Sequence, residues 1–358
     1  LVQTGNVIWD DYPYQRYVFM VHATSGARGA TEHLNSTIIQ RHRDKFAKRE
    51  DYLGFIATAA HEFIHTWNVK AYRPAGMAPY DYIEPNYTRL LWLAEGSTSY
   101  LEDHLLLRAG LMSKDEFFKD LTKRINRHLD TPGREVQSAA QTSFDTWINQ
   151  GGDHGKNFST NIYSEGSLLS MALDLKLLAQ SDGKVSYRDV HRALYNQHKL
   201  PKGFTEQDFI AILNNISGQD YQSWWDNNVH APMQLDFEAM LSLVGLERFY
   251  PDDAKVTASL DAKTSLDKGL LTLEHVRRGG ASWQAGLTAG DMVVAINERR
   301  ISSDLETTLA QYQVGDEITI SYFRRDRLQN TTLVLGSSYD KDPKVQVVDA
   351  PTEAQKAM

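Results

Sequence analysis

The chain has 358 residues, 41% hydrophobic and 23% charged, the balance of an ordinary globular protein with room for two or three domains. A formal net charge of -8 gives no basic footprint for nucleic acid, and the short clusters "VRRGG" and "YFRRDR" do not supply one. There is no cysteine, which excludes disulfides, thiolate metal sites and cysteine nucleophiles, and no apolar run approaches the roughly 20 residues that span a bilayer.

The opening "LVQTGNVIWDDYPYQRYVFMV" shows neither an initiator Met nor a signal peptide. It reads as part of a longer protein, which leaves the compartment, cytoplasmic or periplasmic, unread. Residues 17–21 read as a buried strand, "HATSGARGATEH" as a loop, and residues 36–40 as a second strand. A helix is expected over 51–67, with Asp51 as N-cap and Leu53, Ile56, Ala60, Ile64 and Trp67 on one stripe. The Pro-, Gly- and Tyr-rich "AYRPAGMAPYDYIEPNY" is a loop, and a second helix is expected over 87–109, stopped by Gly110. Another helix follows over 113–130, then a polar loop through "GGDHGKNFSTN" and a long apolar helix, "IYSEGSLLSMALDLKLLAQ". Two more helical patterns fill the chain to about residue 244. Beyond "ERFYPDDAK" the texture changes to short strands with Gly and Asp turns over 255–338, and the end, 339–358, reads as a weakly ordered tail.

Within "ATAAHEFIHTWNVK", His61 and His65 lie four apart on one helical face, with Glu62 beside the first. HExxH on a helix offers two imidazoles to one zinc ion and a carboxylate as general base. The flanking Ala, Phe, Ile and Trp speak against a solvated pair of histidines. A third ligand is needed, and Glu95 in "LWLAEGSTSY" supplies it: after Leu91-Trp92-Leu93 a bare carboxylate costs several kcal/mol unless it is coordinated or paired. Glu102, two turns further on the same face, is the candidate partner that holds a histidine ring. Imidazole and carboxylate ligands favour zinc without excluding cobalt or manganese.

"HEFIHTWNVKAYRP" followed by "WLAEGSTSY" resembles the glycyl aminopeptidase family of gluzincin metallopeptidases, relatives of aminopeptidase N, and the resemblance runs on through "IYSEGSLLSMALDLKL". It implies an α+β fold, with a thermolysin-like, mainly helical catalytic domain over 1–250 and an upstream β-domain that this chain lacks. It also implies that His61, His65 and Glu95 bind one Zn2+ and that Glu62 activates water. Tyr163 matches the tyrosine of the family's Tyr-x-Lys-Gly motif, which places a phenol on the oxyanion; Glu165 stands where that motif has lysine. "GARGATEH" resembles the family's substrate strand, in which the glutamate grips the free α-amino group. That role falls to Glu32, with backbone contacts from Gly29 and Ala30, while Thr31 departs from the usual large apolar residue.

The pattern from Gly269-Leu270-Leu271 through "VRRGGASWQAGLTAGD" resembles a PDZ domain of the bacterial protease type. Such a domain captures a peptide or protein C-terminus on a glycine-led loop, and Leu305 and Leu309, one turn apart, would line its side-chain pocket. A module that serves only as an interdomain brace is the competing reading. Three functions follow: a zinc aminopeptidase that releases a small N-terminal residue (Gly or Ala by resemblance), a zinc endopeptidase, or a peptide-binding scaffold. Peptides are the expected substrates in the first two, and oligomeric state is not legible.

Overall fold

The computed structural model describes residues 1–148, 151–267, 270–301 and 304–357. The chain opens with a helix that the sequence reading missed, α1 (Val2–Trp9), followed by strands β1 (Val18–Thr24), β2 (Gly29–Glu32) and β3 (Ser36–His42). Gly5 lowers α1's propensity but is needed, because a Cβ there would lie 2.6 Å from the Phe63 ring. The three strands form one sheet in the order β1-β3-β2, with β1 parallel and β2 antiparallel to β3. The stretch expected to be a loop therefore contributes β2 and the end of β1. Nor is β1 buried: five of its seven residues are exposed.

The helical part comprises α2 (Arg49–Ile64), α3 (Leu91–Arg108), α4 (Lys114–Leu129), α5 (Ala139–Asp145), α6 (Gly152–Phe158), α7 (Ile162–Gln180), α8 (Tyr187–Gln197), α9 (Glu206–Ser217), α10 (Gln222–Trp225) and α11 (Phe237–Leu243). Helix α2 begins two residues before Asp51, at an N-cap (Lys48) that makes no side-chain capping bond. Asp51 instead meets the helix dipole from the first turn and lies 3.4 Å from Lys45 Nζ. Helix α3 starts at Leu91 and not at 87, because the Thr88 hydroxyl takes the Leu90 N–H (3.1 Å) in a local turn that competes with helix. Its end is the expected one, with Gly110 at φ +67°. Helices α5 and α6 occupy stretches read as polar loop; α5 is announced by a Ser138–Gln141 capping box. Helix α7 is buried on nearly every side, and it meets α3 where Gly96 faces Gly166. A Cβ on Gly96 would stand 2.3 Å from the Gly166 Cα. Among the described residues, no helix is long and apolar enough to cross a membrane.

The C-terminal part holds β4 (Leu246–Phe249), β5 (Val256–Ser259), β6 (Ala262–Asp267), β7 (Leu270–Val276), α12 (Ala281–Gln284), β8 (Met292–Ile296), β9 (Arg299–Arg300), α13 (Leu305–Leu309), β10 (Glu317–Arg324), β11 (Arg327–Val334), β12 (Gly336–Tyr339), β13 (Lys344–Val347) and α14 (Glu353–Ala357). Strands run β11-β10-β8-β7-β6 around a core of their own, from Leu260 to Leu335. The link to the helical part is polar. Asp153 of α6 accepts from the Val276 N–H (2.9 Å) and meets His275 Nδ1 (2.7 Å), while Arg278 reaches the Pro132 carbonyl (2.6 Å). The stretch expected to be a weakly ordered tail is structured. Strand β13 pairs with β4, Val345 enters the helical core at 6% exposure, and its N–H donates to Thr122 Oγ1 at 2.9 Å. Pairing with β4 and the burial of Val345 anchor the segment, while Val347 stays 47% exposed.

Candidate active site

Ala59 and Ala60 carry α2 with good helix formers into its last turn, where His61 follows. His65 is the first residue past α2, yet it keeps helical dihedrals (φ -59°, ψ -17°), so both rings leave the same face. Helix α3 presents Glu95 and Glu102 opposite. His61 Nε2 lies 3.2 Å and His65 Nε2 3.4 Å from one oxygen of Glu95. The remaining ring nitrogens are held from behind: His61 Nδ1 by Glu102 (2.6 Å) and His65 Nδ1 by the Asn68 carbonyl (2.9 Å). With Nδ1–H donating backwards, each Nε2 is turned towards Glu95.

Burial works against a charge on His61, but the Glu102 and Glu95 carboxylates outweigh it and push its pKa up to about 10. Glu95 itself is held well below the carboxylate range: burial opposes ionisation, and the two histidines more than offset it. An environment that so favours a proton on Nε2 also favours a metal cation there. Two imidazole nitrogens and one carboxylate oxygen within 4.8 Å of each other are the donors a tetrahedral zinc site with one open position requires, so these residues fit the metal.

Glu62 is 7% exposed, and its Oε2 has no hydrogen-bond partner among the described residues. Burial raises its pKa, His65 and His61 oppose the rise, and Glu32 and Glu95 add to it. A carboxylate of raised basicity with a free oxygen is suited to take a proton. Tyr163 is the second residue of α7, whose first turn is fixed by the Asn161 side chain accepting from the Tyr163 N–H (3.0 Å). Its ring centroid lies 5.9 Å from that of His61, and burial together with the Glu95 charge keeps its hydroxyl protonated. Glu165 does not face this cluster; it is buried against His128 Nδ1 at 2.6 Å.

Glu32 ends β2, one edge of its sheet, and together with Glu62 and His65 it forms a second group of ligand atoms within 4.8 Å. Gly29 opens β2 at φ +145°, a conformation that side chains resist, and Ala30 pairs with Ile39. The structure thus gathers His61, Glu62, His65, Glu95, Tyr163 and Glu32 into one cluster. Two neighbours were missed in the sequence. Asn68 ties the turn after α2 to α3 through the Leu93 and Ala94 carbonyls and Thr98 Oγ1. Lys70 Nζ stands 3.1 Å from Glu32 Oε1. Their closeness to His65 in the chain was the only available signal.

In the C-terminal module, Leu271 (1% exposed) and Leu309 (6%) belong to its core, Leu305 packs against that core and Leu270 is half-exposed. Gly269 lies outside the described residues. Strand β7 pairs with β6 along its length and with β8 at Leu271 and Thr272, so it is not a sheet edge.

Residues 54–169 match the model of the M61 glycyl aminopeptidases. Among solved structures, the aminopeptidase N family protein of Idiomarina loihiensis is similar with a TM-score of 0.89 at 25% identity, over 99% of this chain and 64% of that one. The chain therefore spans a little under two thirds of that protein's length. The HtrA-type protease AlgW with a decapeptide aligns over 30% of this chain and 36% of its own, at 19% identity and a TM-score of 0.23. A serine endoprotease from Yersinia pestis aligns over 23% and 30%, at 19% identity and 0.21. No curated protein matches the chain. The matched segment, residues 54–169, carries the HExxH turn, Glu95 and Tyr163 and is similar to the M61 glycyl aminopeptidases, and nearly the whole chain follows the fold of the Idiomarina aminopeptidase N family protein.

Proposed function

We propose that this chain is a zinc-dependent aminopeptidase that hydrolyses the first bond of peptides with a small N-terminal residue, Gly or Ala. One observation carries the reading: two histidine nitrogens and the Glu95 carboxylate converge, with the unpartnered carboxylate of Glu62 beside them and Glu32 on an adjoining sheet edge. Held by His61, His65 and Glu95, zinc would supply Lewis acidity and lower the pKa of water to near 7. Glu62 Oε2 takes the proton of the attacking water and returns it to the leaving amide nitrogen, so that the C–N bond breaks as a neutral amine departs. Tyr163 donates its O–H to the developing oxyanion, a contact of the kind worth about 3 kcal/mol. Glu32 accepts from the substrate's α-ammonium while edge strand β2 pairs with the peptide backbone. We read the C-terminal module, 255–338, as a PDZ-type domain for a peptide C-terminus.

A single observation favours an endopeptidase instead: the Glu32 carboxylate already has a cationic partner in Lys70. The two readings separate on paired peptides, one with a free N-terminus and one N-acetylated, given to zinc-loaded protein. The aminopeptidase cuts only the free one, and equal cleavage of both would establish the endopeptidase. Glu62→Gln lowers kcat by about three orders of magnitude or more with zinc content unchanged, as measured by metal analysis; retained turnover would remove Glu62 as the base.

A further inference from the structure

Lys70 is not a loose surface lysine. Its side chain is 16% exposed, and the turn that delivers it is the turn that fixes His65. The Lys70 N–H donates to the His65 carbonyl (3.0 Å), and the Asn68 side chain clamps the turn to α3 through Leu93, Ala94 and Thr98. Between Asn68 and Lys70, Val69 sits at φ +112°, which a β-branched residue adopts only under constraint, and its N–H is spent on the Tyr72 carbonyl (2.8 Å). Backbone strain of this kind persists where the surroundings over-determine the geometry. Here the product of that geometry is an ammonium aimed at Glu32 Oε1, 3.1 Å away.

A carboxylate has two oxygens with about four acceptor positions, so one cation does not fill it. Glu32 also lies within 4.8 Å of Glu62 and His65, the groups that border the scissile carbonyl under the aminopeptidase reading. A lysine on one oxygen restricts the side chain's rotamer and leaves acceptor capacity on the second oxygen. Without that lysine, Glu32 would keep only Glu62 and His65 as its neighbours in this group, with nothing to hold Oε1 in place.

Building on the aminopeptidase reading, we propose that Lys70 is a positioning residue for recognition of the substrate's amino terminus: it holds Glu32 by one oxygen so that the other meets the α-ammonium. The Lys70 side chain acts through Glu32; its backbone contact with His65 is kept by any substitution that leaves the N–H in place. Loss of the side chain therefore weakens substrate binding more than turnover.

The test is a double-mutant cycle of Lys70→Met and Glu32→Gln on zinc-loaded full chain, reading kcat and KM separately with alanyl and N-acetylalanyl peptides. Lys70→Met raises KM for the free-amine peptide about tenfold, the worth of one charge-assisted contact, while kcat moves less. Lys70→Arg restores most of the loss. In the Glu32→Gln background, Lys70→Met adds nothing further. An unchanged KM in Lys70→Met, or fully additive effects in the cycle, would overturn the positioning role while leaving the aminopeptidase reading intact. Equal cleavage of free and acetylated peptides by the unmutated chain would overturn both. Should Lys70→Met not fold, as judged by its thermal midpoint, Lys70→Gln carries the same cycle.

Discussion

Helix α7 and strand β1 both carry long apolar stretches, yet α7 is buried on nearly every side whereas β1 leaves Phe19, Met20 and Val21 36%, 41% and 43% exposed. The difference lies in the neighbours. Helix α7 packs against α3, α4, α5, α8 and α11, while among the described residues β1 pairs with β3 alone. An apolar run states how much surface wants cover; topology decides whether cover is there.

That contrast can be broken at its strongest point first. Gly96→Ala puts a methyl group against the α7 backbone, which cannot move aside as a side chain would, and is expected to cost about 4 kcal/mol. Denaturant titration measures it. A loss below about 1 kcal/mol would mean that the two helices slide apart freely.

A second, smaller effect sharpens the same comparison through pH. His191 is 1% exposed, with Nδ1 2.7 Å from Tyr72 Oη and Nε2 without a partner among the described residues. Burial pushes its pKa down to about 3. The unfolded chain binds this proton near pH 6.5 and the folded chain only near pH 3. Stability from this site is therefore complete above about pH 6.5 and is lost as pH falls towards 3, by roughly 2–3 kcal/mol at pH 4.5. Comparing the thermal midpoints of the parent and His191→Gln between pH 7 and pH 4.5 isolates it: the parent should lose more.

The smallest effect is expected on β1. Val21→Thr, on a strand open to solvent, should change stability by no more than about 0.5 kcal/mol and reduce self-association. A cost of about 2 kcal/mol, typical of a core truncation, would show that β1 is covered in solution.

The legible parts of this chain were those whose signals are local. His61, Glu62 and His65 announce their geometry by spacing alone, and Gly110 ends α3 because only a short list of residues accepts its backbone. Glu95 and Glu102 were readable because two turns of one helix keep them on one face. The unread parts depend on distant partners. Helix α1 contains a glycine that only the Phe63 ring explains, and strand β13 looks like tail until β4 is seen beside it. The Glu32–Lys70 pair joins residues 38 apart through a turn strained at Val69, and no periodicity reports that. In the C-terminal module the glycine-leucine pattern was visible, but the pairing of β7 on both sides was not.

The bare backbone contact between Gly96 and Gly166 has a mechanical consequence. Glu95 precedes one of these glycines and Tyr163 lies three residues before the other, so the carboxylate and the phenol ride on two helices that touch without side chains between them. Such a joint has no soft layer to compress, and the two helices travel as one rigid jaw. Compliance on admitting a peptide then falls to the opposite jaw, where β2 is held along only one edge. On the proposed aminopeptidase reading, the skeleton then sets the placement of Tyr163 relative to Glu95, and whatever adjustment a peptide requires is taken up by β2 together with the Lys70-held Glu32.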